Sequence, residues 1–147
     1  MELIQLVYIS RATRAMAADD LLALLEVSRR RNKREGITGL LVYHGETFMQ
    51  VLEGDEPRVG ALYEDIVRDP RNSQNHLLYE SKIAVREFAT WAMAFVPPEA
   101  IDPNQLVAFS PFLDPSKDTA ALADRRATAH RFMVALRDDM LRRPGHA

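Results

Sequence analysis

The chain has 147 residues and a formal net charge of −2, which suits one ordinary domain with no general attraction to nucleic acid or anionic lipid. It contains no cysteine, which excludes disulfides, iron–sulfur clusters and cysteine nucleophiles and suits a reducing, cytoplasmic location. The apolar N-terminus lacks the features of a signal peptide and no apolar run could span a bilayer, so we expect no membrane partner.

The first half of the chain alternates between strand and helix patterns. Residues 2–10 predict a strand that is apolar on both faces and therefore central. Residues 17–33 change to helical spacing, with an apolar stripe that continues through Ser28 to Asn32. A hairpin follows at 37–53, again with both faces largely apolar.

The second half begins with a further helix. Gly54 to Pro57 carry the acidic and proline signals of a helix start, and Asp69-Pro70 ends that helix. Residues 76–86 alternate as a half-exposed strand at or near a sheet edge. A short last strand spans Trp91 to Phe95 before two prolines stop it.

The order βαββαββ predicts an α+β fold, a ferredoxin-like sandwich, with two additional C-terminal helices. The two crossover helices cover only one face of such a sheet. We expect the C-terminal helices, at 98–108 and 119–142, to cover the other face or to form a dimer contact. We therefore divide the chain into a domain at 1–96 and a helical extension at 97–147, and we expect a homodimer.

Three polar residues interrupt the apolar faces: Tyr8, Asn32 and Gln50. We expect the first and third strands to be parallel neighbours, which would place Tyr8 and Gln50 within reach on one face. Each residue alone is explained by a hydrogen bond inside the protein. Together, a hydroxyl and two amides beside apolar walls suit a bound polar heterocycle.

Five stretches of the sequence carry a resemblance to a known family: LVYISRA (6–12), SRRRNKREGITGLLVY (28–43), FMQVLEG (48–54), DPRN (69–72) and FATWAM (88–93). In them the chain resembles the BLUF domains, blue-light receptors that bind flavin, over about residues 2–96. The resemblance implies a ferredoxin-like fold with FAD between its two helices. It also implies a sensor without enzymatic turnover, which signals to an unidentified effector protein.

The resemblance also implies roles for individual residues. Tyr8 would donate an electron and a proton, and Gln50 would bridge the Tyr8 hydroxyl and the flavin, with Asn32 at the pyrimidine end. The other flavin-binding positions that it implies are Ser28, Arg31, Ile37, Arg71, Trp91 and Met93. Asn72 departs from the family pattern, in which many members have histidine. Trp91 and Met93 lie on the last strand, which makes that strand the expected output route.

Two other interpretations remain open. A ferredoxin-like phosphate enzyme similar to acylphosphatase could use Arg11 and Asn32, although SRATRAM (10–16) lacks a glycine-rich loop. A regulatory module without a ligand is the second alternative. The basic run at 28–34 suits a helix end near a cofactor phosphate better than a nucleic-acid surface, and the histidines lack metal-ligand spacing.

Overall fold

The fold is a mixed sheet with helices on both faces, in a computed structural model that describes residues 2–88, 93–96, 103–104, 112, 119 and 126–142. The strands are β1 (Leu3–Ala12), β2 (Thr38–His44), β3 (Thr47–Asp55), β4 (Asn72–Ile83) and β5 (Ala94–Val96). The longer helices of the described residues are α1 (Ala18–Glu35), α2 (Glu56–Arg68) and α3 (Arg126–Arg142). The sheet order is β4-β1-β3-β2-β5, so the predicted ferredoxin-like α+β fold is confirmed and β4 is an edge strand.

The direction predicted for the two central strands was wrong, because β1 and β3 are antiparallel. The chain leaves β1, crosses through α1 and returns as β2, and the tight hairpin then reverses β3. Since β3 lies between β1 and β2, it runs against both of them. Side-chain parity decides which face a residue occupies, so this reversal leaves Tyr8 and Gln50 on the same face.

Two apolar clusters explain why the central strands are apolar on both faces. One face packs under α1 and α2, where Ile4, Leu6 and Leu52 meet Leu25 and Leu62. The opposite face packs against α3. The buried residues of this second cluster include Val7, Ile9, Met49, Val51, Phe132, Met133 and Leu136. The division at residue 96 and the expected dimer stay predictions.

The last elements are only partly described. Residues 103 and 104 of the expected helix at 98–108 are helical. Trp91 and residues 120–125 lie outside the described residues, and the described part of the long C-terminal helix begins at Arg126. Among the described residues, every helix is too short or too polar to cross a membrane.

The edge strand β4 differs from the simple alternation expected at 76–86. Its pairing with β1 shifts between Val7 and Tyr8, whose partners are Tyr79 and Leu77. The skipped residue, Leu78, is buried, whereas Leu77 is 38% exposed. A β-bulge inserts one residue and so changes which side chains face the core, which periodicity alone does not reveal.

Candidate functional site

The candidate site is a cavity of about 180 Å³ between α1, α2 and the sheet. Sequence-predicted residues that line it are Tyr8, Ser28, Arg31, Asn32, Gln50 and Arg71. Apolar side chains complete its walls: Leu24 and Val27 from α1, Leu41 and Phe48 from the hairpin, and Leu62 and Ile66 from α2. The cavity therefore combines apolar walls with a few hydrogen-bonding groups, as ligand sites usually do.

Tyr8 and Gln50 form the centre of the site. They are direct cross-strand partners in the β1–β3 ladder, and both side chains are buried. The Tyr8 hydroxyl donates to Oε1 of Gln50 over 2.5 Å. The two groups that the binary pattern singled out are therefore already joined by a short hydrogen bond.

Gln50 has a second partner in Met93, the residue directly before β5. Its Nε2 donates to the Met93 sulfur at 3.1 Å, and the Met93 side chain is buried. A thioether sulfur is a weak acceptor. These two contacts use one hydrogen and one lone pair of an amide that can make four hydrogen bonds, so Gln50 keeps capacity for a ligand in the cavity that it lines.

The environment of Tyr8 keeps its hydroxyl protonated. Burial, followed by the nearby Tyr63 and Asp69, raises the pKa of Tyr8 above its ordinary value. The Tyr63 ring, from α2, lies 5.4 Å from the Tyr8 ring at an interplanar angle of 51°. Tyr8 is therefore a neutral donor across the physiological pH range. The helical pattern placed Tyr63 in the buried stripe of α2 but did not indicate its contact with Tyr8.

Two arginine–aspartate pairs lie along the cavity lining. Arg31 of α1 donates to Asp65 of α2 at 2.6 Å, and Arg71 pairs with Asp69 at 2.5 Å. Hydrogen bonds from Arg71 lower the pKa of Asp69, and they outweigh the opposing effect of burial. The two aspartates were missed, although their i, i+4 spacing late in the helical pattern was a usable signal that they share one side.

Two of the described predicted site residues, Ile37 and Met93, are not among the side chains that line this cavity, and Met93 contacts the lining residue Gln50. Ile37 is buried in the same apolar cluster, close to Gly54, and does not appear among the residues that line the cavity. Trp91 lies outside the described residues. Their contacts with a flavin stay predictions.

The pairing required by the phosphate-enzyme alternative does not form. Arg11 donates to Oγ1 of Thr47 at 2.8 Å and to the carbonyl of Phe112 at 3.3 Å, on the face that packs against α3. Asn32 lines the cavity on the other face. Within the described residues, histidines and carboxylates also form no cluster suited to a metal ion.

The residues present fit a flavin. Its polar ring edge needs fixed donors and acceptors, which Asn32, Gln50 and Ser28 can provide, and its planar body needs the apolar walls described above. Arg31 and Arg71 are guanidinium groups suited to a phosphate chain. The donor set is thus richer in amides and hydroxyls than a purely apolar ligand would need.

Comparison with known proteins gives a consistent set of matches. A family model described as sensors of blue light using FAD matches residues 3–94. The beta subunit of photoactivated adenylate cyclase from Euglena longa is 36% identical over 110 residues, which cover 74% of this chain and 12% of that protein. This chain thus spans a small part of that relative's length.

Solved structures give matches of similar strength. The dark-state structure of BlrB, a BLUF protein, has a TM-score of 0.71 at 31% identity, covering 92% of this chain and 97% of that chain. BlrP1 from Klebsiella pneumoniae, solved with FMN and cyclic diGMP, has a TM-score of 0.65 at 29% identity, covering 88% of this chain and 36% of that chain.

Proposed function

Because this chain belongs to the BLUF family, the sensors of blue light using FAD, we propose that it detects light through the hydrogen-bonded pair Tyr8 and Gln50. The family match confirms the resemblance found in the sequence, so the chain is a flavin-binding blue-light sensor. The observation that carries the proposal is the continuous contact from the Tyr8 hydroxyl through the Gln50 amide to the Met93 sulfur.

The proposed cofactor is FAD, held between α1 and α2. Asn32 and Ser28 bind and orient the polar ring edge from α1, and Gln50 does so from the sheet. Arg31 and Arg71 bind the phosphates, and Ile37 supports the apolar wall. The family description favours FAD. The structure of BlrP1 was solved with FMN, so binding of the two flavins to this chain needs to be compared directly.

When excited by blue light, a bound flavin supplies an oxidant able to take an electron from a nearby phenol. Tyr8 keeps its proton until then, because its pKa is raised by burial. The hydrogen bond to Oε1 of Gln50 gives that proton a direct path as the electron leaves. Gln50 would then exchange its two ends by rotation or tautomerise. When the electron returns to Tyr8, the proton returns with it, so Tyr8 is restored and only the hydrogen-bond arrangement of Gln50 has changed.

When Gln50 rearranges, losing its hydrogen bond to the Met93 sulfur costs little free energy. The sulfur is a weak acceptor, so losing the bond from Nε2 sacrifices less than an ordinary hydrogen bond, which contributes about 1 kcal/mol. A difference of that size is enough to bias two nearly balanced arrangements. The changed hydrogen bonds at the ring edge account for the expected red-shifted lit state.

The proposed output runs through β5. Met93 directly precedes this strand, and Ala94 and Val96 pack in the cluster that contains Phe132 and Leu136 of α3. A rearrangement beside Gln50 is thereby passed to the helical extension at 97–147. We propose that the extension contacts a second copy of the chain and an effector protein, and that the chain itself has no enzymatic turnover.

An absorption spectrum before and after blue illumination tests the proposal. We expect yellow protein with bound FAD and a small, reversible red shift. Tyr8→Phe should keep the flavin and lose the shift, since phenylalanine retains the ring but not the donated proton. Tyr79→Phe is the matched control, because Tyr79 instead donates to Gln5 from the β4 edge. A normal shift in Tyr8→Phe would remove Tyr8 from the mechanism.

A further inference from the structure

Arg29 of α1 is joined to the segment that carries Met93. Its Nε donates to the backbone carbonyl of Met93 at 2.8 Å, across a sequence separation of 64 residues. Met93 is the residue whose sulfur accepts from Gln50, and it directly precedes β5. One guanidinium therefore holds the main chain at the residue that contacts Gln50 and directly precedes the last strand.

The contact distinguishes Arg29 from the next two residues of the basic run. Arg30 pairs with Glu26 of its own helix and is 72% exposed. Arg31 pairs with Asp65 along the cavity lining. Arg30 and Arg31 thus pair with carboxylates, whereas Arg29 donates to the backbone carbonyl of Met93.

The space around Met93 is also restricted from β2. A Cβ at Gly39 would lie 3.4 Å from the Met93 terminal methyl and 2.0 Å from the Val51 carbonyl oxygen. Leu40, the next residue, pairs with Ala94 in the parallel β2–β5 ladder. Met93 is thereby fixed at its carbonyl by α1 and followed at once by a strand fixed to β2.

We propose that Arg29 is a positioning residue that holds Met93 against Gln50. A hydrogen bond from a permanently charged guanidinium is stronger than one between neutral groups, so it can fix this short connection. With Met93 held, the Gln50 amide keeps its sulfur partner in the dark arrangement. The consequence for the photocycle rests on the proposed function, whereas the structural role of Arg29 does not.

The structural part is tested by NMR of protein with 13C-labelled methionine methyl groups, with and without flavin. Met93→Leu assigns the Met93 signal. We expect Arg29→Gln to shift and broaden that signal selectively, with partial recovery in Arg29→Lys, which keeps the charge. Arg30→Gln is the matched control and should leave it unchanged. An unaffected Met93 signal in both Arg29 variants would overturn the proposal.

The functional part is tested by the rate of dark recovery after blue illumination. We expect Arg29→Gln to slow recovery by roughly two- to threefold, which is less than the loss of an ordinary hydrogen bond would cause, because the affected bond ends on a weak sulfur acceptor. The same substitution in a Met93→Leu background should add nothing, since the sulfur is gone. A full additive effect there, or equal rates in Arg29→Gln and Arg30→Gln, would overturn the proposal.

These experiments separate the two ideas. A wild-type protein without any light-induced shift would contradict the proposed function, and the methionine signals would still decide whether Arg29 positions Met93. A normal wild-type photocycle with no selective change in the Arg29 variants would contradict only the role of Arg29.

Discussion

Nε2 of His130 in α3 lies 2.9 Å from Oε1 of Glu87. The same carboxylate oxygen accepts a hydrogen bond from Nε2 of Gln5 in β1 at 2.9 Å. The same Gln5 amide donates to buried Glu53 of β3 at 2.8 Å. Glu87 therefore joins the helix that covers one face of the sheet to the two central strands. This polar junction is separate from the cavity between α1 and α2.

The first prediction concerns acid stability at this junction. Burial acts to raise the pKa of Glu87, but hydrogen bonds from His130 and Gln5 and the charges of His130 and Arg137 outweigh it, and the pKa is lowered. A lowered pKa in the folded state stabilises the fold above the ordinary value of 4.5 and loses that contribution as the pH falls further.

We therefore expect α3 to lose protection from hydrogen exchange as the pH falls from about 5 to about 3. Glu87→Gln should remove most of this pH dependence, while Glu80→Gln, at an exposed position of β4, should keep it. Equal pH profiles for the wild type and Glu87→Gln would contradict the role given to this carboxylate.

The second prediction concerns alkaline stability. The pKa values of Tyr8 and Tyr79 are raised, chiefly by burial. A raised pKa means that the unfolded state releases the proton first, so stability is retained below the ordinary value of 10.0 and lost as the pH rises above it. Urea unfolding midpoints should fall above that pH, and Tyr8→Phe should reduce the fall. If the urea midpoint of Tyr8→Phe fell with pH as steeply as that of the wild type, the burial of the Tyr8 hydroxyl would not be the cause.

The third prediction contrasts two glycines. A Cβ at Gly39 would lie 2.0 Å from the Val51 carbonyl oxygen, whereas one at Gly60 meets nothing within 4 Å. Gly39→Ala should destabilise the fold by roughly 2 kcal/mol or more, since the β2–β3 ladder must open. Gly60→Ala should stabilise α2 by about 0.5–1 kcal/mol. Thermal unfolding measures both, and a tolerated Gly39→Ala would contradict the close approach.

The fourth prediction concerns the phosphate end of the proposed cofactor site. Arg31→Gln should weaken FMN binding about three- to tenfold relative to riboflavin, because one charge-assisted hydrogen bond to phosphate is lost. Asp65→Asn should strengthen FMN binding, since it releases Arg31 from its present partner. Arg34→Gln, at a side chain that is 73% exposed, is the control. If Arg31→Gln weakened the binding of FMN and riboflavin equally, Arg31 would not contact the phosphate.

The sequence predicted the meeting of Tyr8 and Gln50 well, even though the strand direction was wrong. Parity along a strand decides the face, and it does not depend on whether the neighbouring strand runs up or down. The stripe of α1 likewise placed Ser28 and Asn32 at the cavity, because helical spacing alone fixes which residues share a side.

Other features depended on distances that periodicity does not carry. The pairing of Arg31 with Asp65 requires the spacing of two helices, and the contact of Arg29 with Met93 requires the course of the chain before β5. The bulge at Leu78 changes which side chains of β4 face the core, and no glycine or proline in that strand indicates it. These relationships arise from tertiary packing rather than from local sequence.

In the part of the chain that the structure describes, the ladder between β2 and β5 has three residue pairs, whereas β1 and β3 share nine. Detaching β5 thus breaks a short stretch of backbone hydrogen bonds and leaves the central sheet whole. Within the described residues, the β2–β5 ladder is the shortest in the sheet, so β5 can separate from β2 while the other four strands stay paired.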